Sequence, residues 1–214
     1  MTKVGIIGTG MLGEAVGLHL LDSNHTVTVF NRTKDKTEKL VDAGATLAES
    51  PKEVTENSDL VITVVRDADA VSEVAFGDDG IISGKHDGMV VADMSTINPN
   101  SAKEISQKFE SSGVDFLEIP VMGGPNVAID GKLVMMISGK SDVFEKFKET
   151  FGTIAEQTYF LGDAGTAHSI KLAMNLQIAM LALSLSEGIT LTRKAGFSNI
   201  DYTGVLAYLK TLSS

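Results

Sequence analysis

The run Val4-Gly5-Ile6-Ile7-Gly8-Thr9-Gly10-Met11-Leu12-Gly13 decides the fold of this chain. Val4, Ile6 and Ile7 form a compact β-branched run, three glycines follow at GxGxxG spacing, and Met11 to Leu21 then takes helical apolar spacing. The order is strand, turn, helix. In that setting Gly8 serves the tight turn, Gly10 lets backbone approach a pyrophosphate, and Gly13 lets the helix pack closely on the strand. The helix N-terminus then presents free N–H groups and its positive dipole end to the phosphates. Thr9, Met11 and Leu12 lie between these glycines and belong to the same candidate cofactor-binding loop. The competing reading is a glycine turn that merely packs, since such triplets recur in unrelated loops.

Working outward, the alternation continues. Thr26 to Phe30 reads as a second strand, Thr33 to Val41 as a helix, and Ala45 to Ala48 as a short strand. A short helix from Pro51 to about Asn57 precedes Asp59 to Val65, an almost continuous apolar run of the kind buried on both faces of a sheet. Helix Ala68 to Ala75, strand Met89 to Asp93, helix Asn100 to Glu110 and strand Val114 to Ile119 follow. Then come strand Leu133 to Ser138, helix Asp142 to Phe151 and strand Ala155 to Phe160. Strands alternating with helices mean βαβ crossovers, so the expected class is α/β with a doubly wound, mainly parallel sheet.

From about Gly165 the pattern changes. Thr166 to Lys194 holds no proline and a single glycine, Gly188, which predicts one helix of roughly 40 Å at ~1.5 Å rise per residue. No charge lies between Lys171 and Glu187, and leucine, isoleucine and methionine occupy every face, so the helix is expected to be buried all round. A membrane span is disfavoured because the uncharged stretch Leu172 to Ser186 is interrupted by Asn175, Gln177 and Ser184 and falls short of ~20 apolar residues. Asn199 to Leu212 offers one further helix. The expected division is residues 1–163, a dinucleotide-binding domain, and residues 164–214, the interdomain helix with the start of an all-α domain. Coverage of the apolar helix then comes from further chain or from a second subunit, which predicts a homodimer or higher homo-oligomer.

The chain's 214 residues include 18 basic and 28 acidic side chains, a formal net charge of −10. Residues 161–214 hold four basic and three acidic residues, so the acidic excess lies in the first 160. This charge argues against nucleic acid and against anionic membrane surfaces as partners. The absence of cysteine removes disulfides, thiolate metal sites and cysteine nucleophiles, and fits a cytoplasmic location. Val4 to Ile7 runs directly into the glycine turn without a small-residue cleavage site and is read as strand, not export signal. The four histidines form no set with metal-ligand spacing, so no metal is expected; His168, three residues before Lys171, could line the site but reads more simply as a helix-start residue.

Cofactor choice is read about twenty residues beyond the glycines, where an acidic residue would accept the ribose 2′-OH of NAD. The second strand ends instead in Phe30-Asn31-Arg32-Thr33-Lys34. Arg32 can hold a 2′-phosphate by charge and fork geometry, with Asn31 and Thr33 as hydrogen-bond donors, which favours NADP over NAD. The alternative is a solvated surface pair, Arg32 and Lys34.

Four motifs in order, the glycine turn, Asp93-Met94-Ser95-Thr96-Ile97-Asn98-Pro99, Pro120-Val121-Met122-Gly123-Gly124, and Gly162-Asp163-Ala164-Gly165 leading to Lys171 and Asn175, together resemble the β-hydroxyacid dehydrogenase family. The group includes 3-hydroxyisobutyrate dehydrogenase and glyoxylate/succinic semialdehyde reductase. The resemblance implies a Rossmann domain and hydride transfer between a nicotinamide and a small hydroxy acid, semialdehyde or keto acid. It implies Lys171 as general acid/base and Asn175, at (i, i+4), as the residue orienting the lysine or the substrate oxygen. It further implies Ser95, Gly123 and Gly124 as ligands of a carboxylate substrate. Thr96 falls beside the cofactor, and Val65, at the end of the fourth strand, joins the cofactor-side residues. Turn chemistry alone accounts equally for Ser95-Thr96 and for Gly123-Gly124.

Two departures stand out. Met122 takes the place of the family's usual serine, removing one carboxylate donor and leaving substrate identity open. Ala167 replaces a common glycine, which a helix tolerates. A 6-phosphogluconate dehydrogenase would carry Lys-x-x-His-Asn, whereas Met174 precedes Asn175 here, and an imine reductase would lack the lysine. The expected activity is an NADP-dependent dehydrogenase or reductase. A non-catalytic NADP-binding scaffold or sensor is the second reading.

Overall fold

In the computed structural model of the chain, residues 2–196 are described. Strand β1 (Lys3–Ile7) leads through the glycine turn into α1 (Met11–Asp22), and β2 (Thr26–Phe30) lies parallel to β1. A 3-10 turn (Lys34–Thr37), α2 (Glu38–Asp42) and β3 (Thr46–Leu47) follow. The helix expected over 33–41 is therefore divided between a 3-10 turn and an α turn. Next come α3 (Pro51–Glu56), β4 (Leu60–Thr63), α4 (Ala68–Phe76), β5 (Val90–Asp93), α5 (Pro99–Ser111) and β6 (Asp115–Glu118). The proline-started helices α3 and α5 are capped from the preceding residue: Glu53 N donates to Ser50 Oγ at 3.2 Å and Asn100 N to Asn98 Oδ1 at 2.8 Å.

Beyond β6 the chain forms β7 (Val121–Met122), α6 (Pro125–Ala128), β8 (Leu133–Gly139), α7 (Ser141–Ile154), β9 (Ala155–Phe160) and α8 (Thr166–Lys194). The sheet order is β3-β2-β1-β4-β5-β6-β8-β7, with β9 on β8. Pairings from β3 through β6 are parallel, whereas β8 is antiparallel to β6 and β7. β7 and α6 have two and four residues and were too short for periodicity to reveal.

The strands β4 and β5 are buried along their whole length, because apolar clusters cover both sheet faces. Leu20, Leu117, Phe147 and Phe151 belong to one cluster; Val54, Ile81, Ile105 and Phe109 belong to the other. This explains why these strands read as continuous apolar runs. The register sets Phe30, Ile7, Thr63, Asp93 and Glu118 in one row across five strands. Every motif singled out in the first 124 residues follows that row immediately, at the carboxyl edge where open α/β sheets bind ligands.

The chain separates into two compact units, 1–172 and 173–214, with the boundary inside α8. In the second unit the described part is helical through Lys194, and its apolar side chains are exposed: Leu176 by 64%, Leu181 by 68% and Leu191 by 71%. The cover expected from further chain or a second subunit is not supplied by the described residues of this chain. Apolar composition states a demand for burial, and burial itself needs a covering surface. By length and composition α8, with a mean hydropathy of 1.4 over its most apolar stretch, is also long and apolar enough to cross a membrane. The expectation that it falls short holds only on the stricter count of uninterrupted uncharged residues. The helix anticipated over 199–212 lies outside the described residues.

Candidate active site

Gly8 has φ +100°, and a Cβ there would run into the Val64 carbonyl; a Cβ on Gly13 would run into the Gly8 carbonyl. Both positions thus exclude side chains, for backbone conformation and for close helix approach. Gly10 faces open space within 4 Å and begins α1 without a side-chain cap. Thr9 Oγ1 is buried without a hydrogen-bond partner beside this opening. An uncapped helix N-terminus, clear space above it and an orphaned hydroxyl are the features a dinucleotide pyrophosphate requires, so the loop fits that group.

The turn after β2 is tied to the loop, since Thr9 N donates to Asn31 Oδ1 at 3.1 Å while Asn31 Nδ2 donates to the Thr33 carbonyl at 2.9 Å. The Asn31 amide thus ties the turn to the glycine loop and keeps one N–H beyond the bond to Thr33. Lys34 is likewise engaged, by Glu49. Arg32 and Thr33 are exposed, and Arg32 forms no ion pair among the described residues, leaving its guanidinium available. Val65 N donates to Ser95 Oγ at 3.0 Å, joining the turns that follow β4 and β5.

A buried polar cluster occupies the carboxyl ends of β5 and β6. Asp93 Oδ1 accepts from Thr63 Oγ1 at 2.7 Å and from Ser95 N at 3.2 Å, while Oδ2 has no partner. Burial raises the Asp93 pKa against the opposing hydrogen bonds from Thr63 and Ser95. Glu118 accepts from Gly165 N, from Ser138 Oγ at 2.8 Å and from His168 Nδ1 at 2.8 Å. His168 Nε2 points at the Ser95 carbonyl at 3.0 Å and lies 3.9 Å from Asp93 Oδ2. Burial works against a charged ring, but the hydrogen bond and charge of Glu118, with help from Asp93 and the Ser95 carbonyl, outweigh it and raise the His168 pKa.

His168 lies in the first turn of α8 and is also fully buried, with its two ring nitrogens against Glu118 and the Ser95 carbonyl. Asp93 and Glu118 were missed as site residues, and His168 was weighed only as the lesser of two readings. Their available signals were an acidic residue ending each of two apolar strands and a histidine three positions before a singled-out lysine. Among the described residues no group of His, Cys, Asp and Glu is arranged to hold a metal ion.

Lys171, one turn beyond His168, is 9% exposed, and burial lowers its pKa. Its Nζ donates to Met122 Sδ at 3.0 Å, and it forms no ion pair among the described residues. A lysine desolvated without a carboxylate is poised to exchange its proton. β7 continues along β8 past the end of β6 and so brings Met122, Gly123 and Gly124 beyond the carboxyl edge; both glycines are exposed, as is Thr96. Ser95 is 3% exposed, and its hydroxyl accepts from Val65 N. Asn175 falls in the second unit, and its pairing with Lys171 rests on helical spacing alone.

Fold and site together define a dinucleotide-binding α/β domain with a buried lysine at its ligand edge. The chain belongs to the family of the NAD-binding domain of 6-phosphogluconate dehydrogenase, whose pattern matches residues 3–162, and the resemblance to the β-hydroxyacid dehydrogenases holds within it. Glyoxylate/succinic semialdehyde reductase 2, chloroplastic, of Arabidopsis thaliana is 34% identical over 194 residues, covering 91% of this chain and 54% of that protein. Cytokine-like nuclear factor N-PAC of Xenopus tropicalis is 33% identical over 204 residues, covering 95% of this chain and 38% of that protein. The solved 3-hydroxyisobutyrate dehydrogenase of Salmonella typhimurium superposes with a TM-score of 0.84 at 26% identity, over 92% of this chain and 69% of that one. The chain spans 38% and 54% of the length of these two curated relatives.

Proposed function

We propose that the protein is an NADP-dependent oxidoreductase that transfers hydride between the nicotinamide and a small hydroxy acid, semialdehyde or keto acid. The observation carrying this reading is Lys171: buried to 9% exposure, lowered in pKa, without an ion-pair partner among the described residues, and set beside Met122 at the ligand edge. The bound dinucleotide supplies or accepts the hydride. Gly8, Thr9, Gly10, Met11 and Leu12 hold its pyrophosphate at the α1 N-terminus, with Val65 and Thr96 along its path. Lys171 holds a proton at Nζ and delivers it to the substrate oxygen in reduction, or takes the hydroxyl proton in oxidation. Backbone N–H groups of Gly123 and Gly124 receive the carboxylate, with Ser95 as a further substrate contact.

The test is oxidation of NADPH by the purified chain with glyoxylate and with succinic semialdehyde. Falling nicotinamide absorbance supports the reading; flat absorbance with NADPH bound overturns it for this chain. NADP preference rests on Arg32. Arg32→Ser removes a charge-assisted phosphate contact worth ~1.5–3 kcal/mol, so NADPH binding should weaken by roughly 10- to 100-fold while NADH binding changes little. Equal effects on both nucleotides would refute the assignment.

A non-catalytic NADP-binding module is the second reading, favoured by the similarity to a protein named as a nuclear factor. NADPH binding without turnover on either substrate is its signature. A homodimer formed through the exposed apolar helix belongs to the same proposal, with light-scattering mass as the measurement. The cytoplasmic location also stands as a proposal, since the two relatives carry nuclear and chloroplastic names.

A further inference from the structure

The Asp93, Glu118 and His168 cluster touches neither the glycine loop nor the Arg32 turn, yet it holds the segment that carries Lys171. Three backbone or side-chain donors from residues 165–168 end on it: Gly165 N and His168 Nδ1 on Glu118, and Ala167 N on Ser138 Oγ at 3.3 Å. Ser138 in turn donates to Glu118, so the proton directions are consistent throughout. A carboxylate at a helix N-terminus also meets the positive end of the α8 dipole. Both ring nitrogens of His168 face acceptors, the Glu118 carboxylate on one side and the Ser95 carbonyl on the other. A carbonyl can only accept, so the nitrogen facing Ser95 must carry a proton, while the other faces a carboxylate oxygen at 2.8 Å.

We propose that His168 is a positioning residue: as an imidazolium clamped between Glu118 and the Ser95 carbonyl, it fixes the first turn of α8 against β5 and β6 and thereby holds Lys171 in register with the substrate edge. Loss of the imidazolium proton releases the clamp. The charged groups around the ring are Glu118 from β6 and Asp93 from β5, with Lys171 one turn along α8 itself. The catalytic consequence rests on the proposed role of Lys171; the clamp itself does not.

The experiment uses the full chain labelled at histidine ring nitrogens and lysine Cε, with the Lys171 signal assigned from its loss in Lys171→Arg. Both His168 ring nitrogens are expected to show protonated-imidazolium shifts at neutral pH, and the Lys171 signal should move at the alkaline pH where His168 deprotonates. His168→Gln, still folded by circular dichroism, should shift Lys171 toward the exposed lysines and erase that inflection. In turnover it should lower kcat by roughly 10- to 100-fold, the order expected for an ångström-scale misplacement, with KM for NADPH within about twofold. A neutral His168 ring at neutral pH, or a Lys171 signal unchanged in the folded variant, overturns the clamp. If His168→Gln does not fold, the wild-type pH titration decides alone. No turnover in the wild type, with the coupled His168 and Lys171 titration present, removes the catalytic reading and leaves the clamp standing.

Discussion

Lys171→Ala should reduce turnover by about 10²- to 10⁴-fold, the range expected when a positioned proton donor is removed, while NADPH affinity stays within about twofold. The separation follows from location: Lys171 meets Met122 after β7, whereas the pyrophosphate loop and Arg32 follow β1 and β2. Stopped-flow absorbance and a direct binding titration measure the two quantities. A matching loss of NADPH affinity would place the lysine in cofactor binding instead. Lys171→Met separates chemistry from folding, because a desolvated amine is exchanged for an apolar side chain of similar length. That variant should melt no lower than the wild type and be equally inactive.

Glu118→Ala should cost about 3–5 kcal/mol of stability, since it strands a buried imidazolium and leaves Gly165 N without its acceptor. At about 2–4 °C per kcal/mol for a chain of this size, the melting temperature should drop by roughly 6–20 °C. An unchanged melting temperature would show that the buried pair contributes nothing. The accompanying pH dependence has a definite sign. A folded-state histidine pKa raised above its unfolded value contributes stability that is present below the ordinary histidine range and lost as pH climbs through the raised value. Asp93, whose pKa is raised by burial, acts in the same direction because the folded state favours its protonated form. The cluster's contribution should therefore decline from mildly acid to alkaline pH, and the decline should vanish in the double variant Asp93→Asn/His168→Gln.

Local chemistry made much of this legible. The β-branched run Val4–Ile7, the glycines at 8, 10 and 13, and proline-capped helices at 51 and 99 each act within a few residues, so the strands and crossover helices could be placed from pattern. Lys171 and Met122 were legible by resemblance, but their contact at 3.0 Å was not, because 49 positions separate them. Asn31 shows the opposite limit. Its residue type suited a phosphate, but the bonds that tie its amide to Thr9 N and to the Thr33 carbonyl, and so join the turn to the glycine loop, were not legible from residue type.

The sequence alone determined that this chain builds a parallel, dinucleotide-binding sheet, because apolar period, glycine turns and helix caps are local and additive. Tertiary structure decided which polar residues meet. Register places Asp93 beside Glu118 although the two come from separate crossovers, and α8 then lowers His168 onto both. No periodicity carries that information, since strand pairing is chosen by the packing of distant segments. Burial then supplies what sequence lacks: the same removal of water lowers the Lys171 pKa and makes His168 depend on Glu118 for its charge.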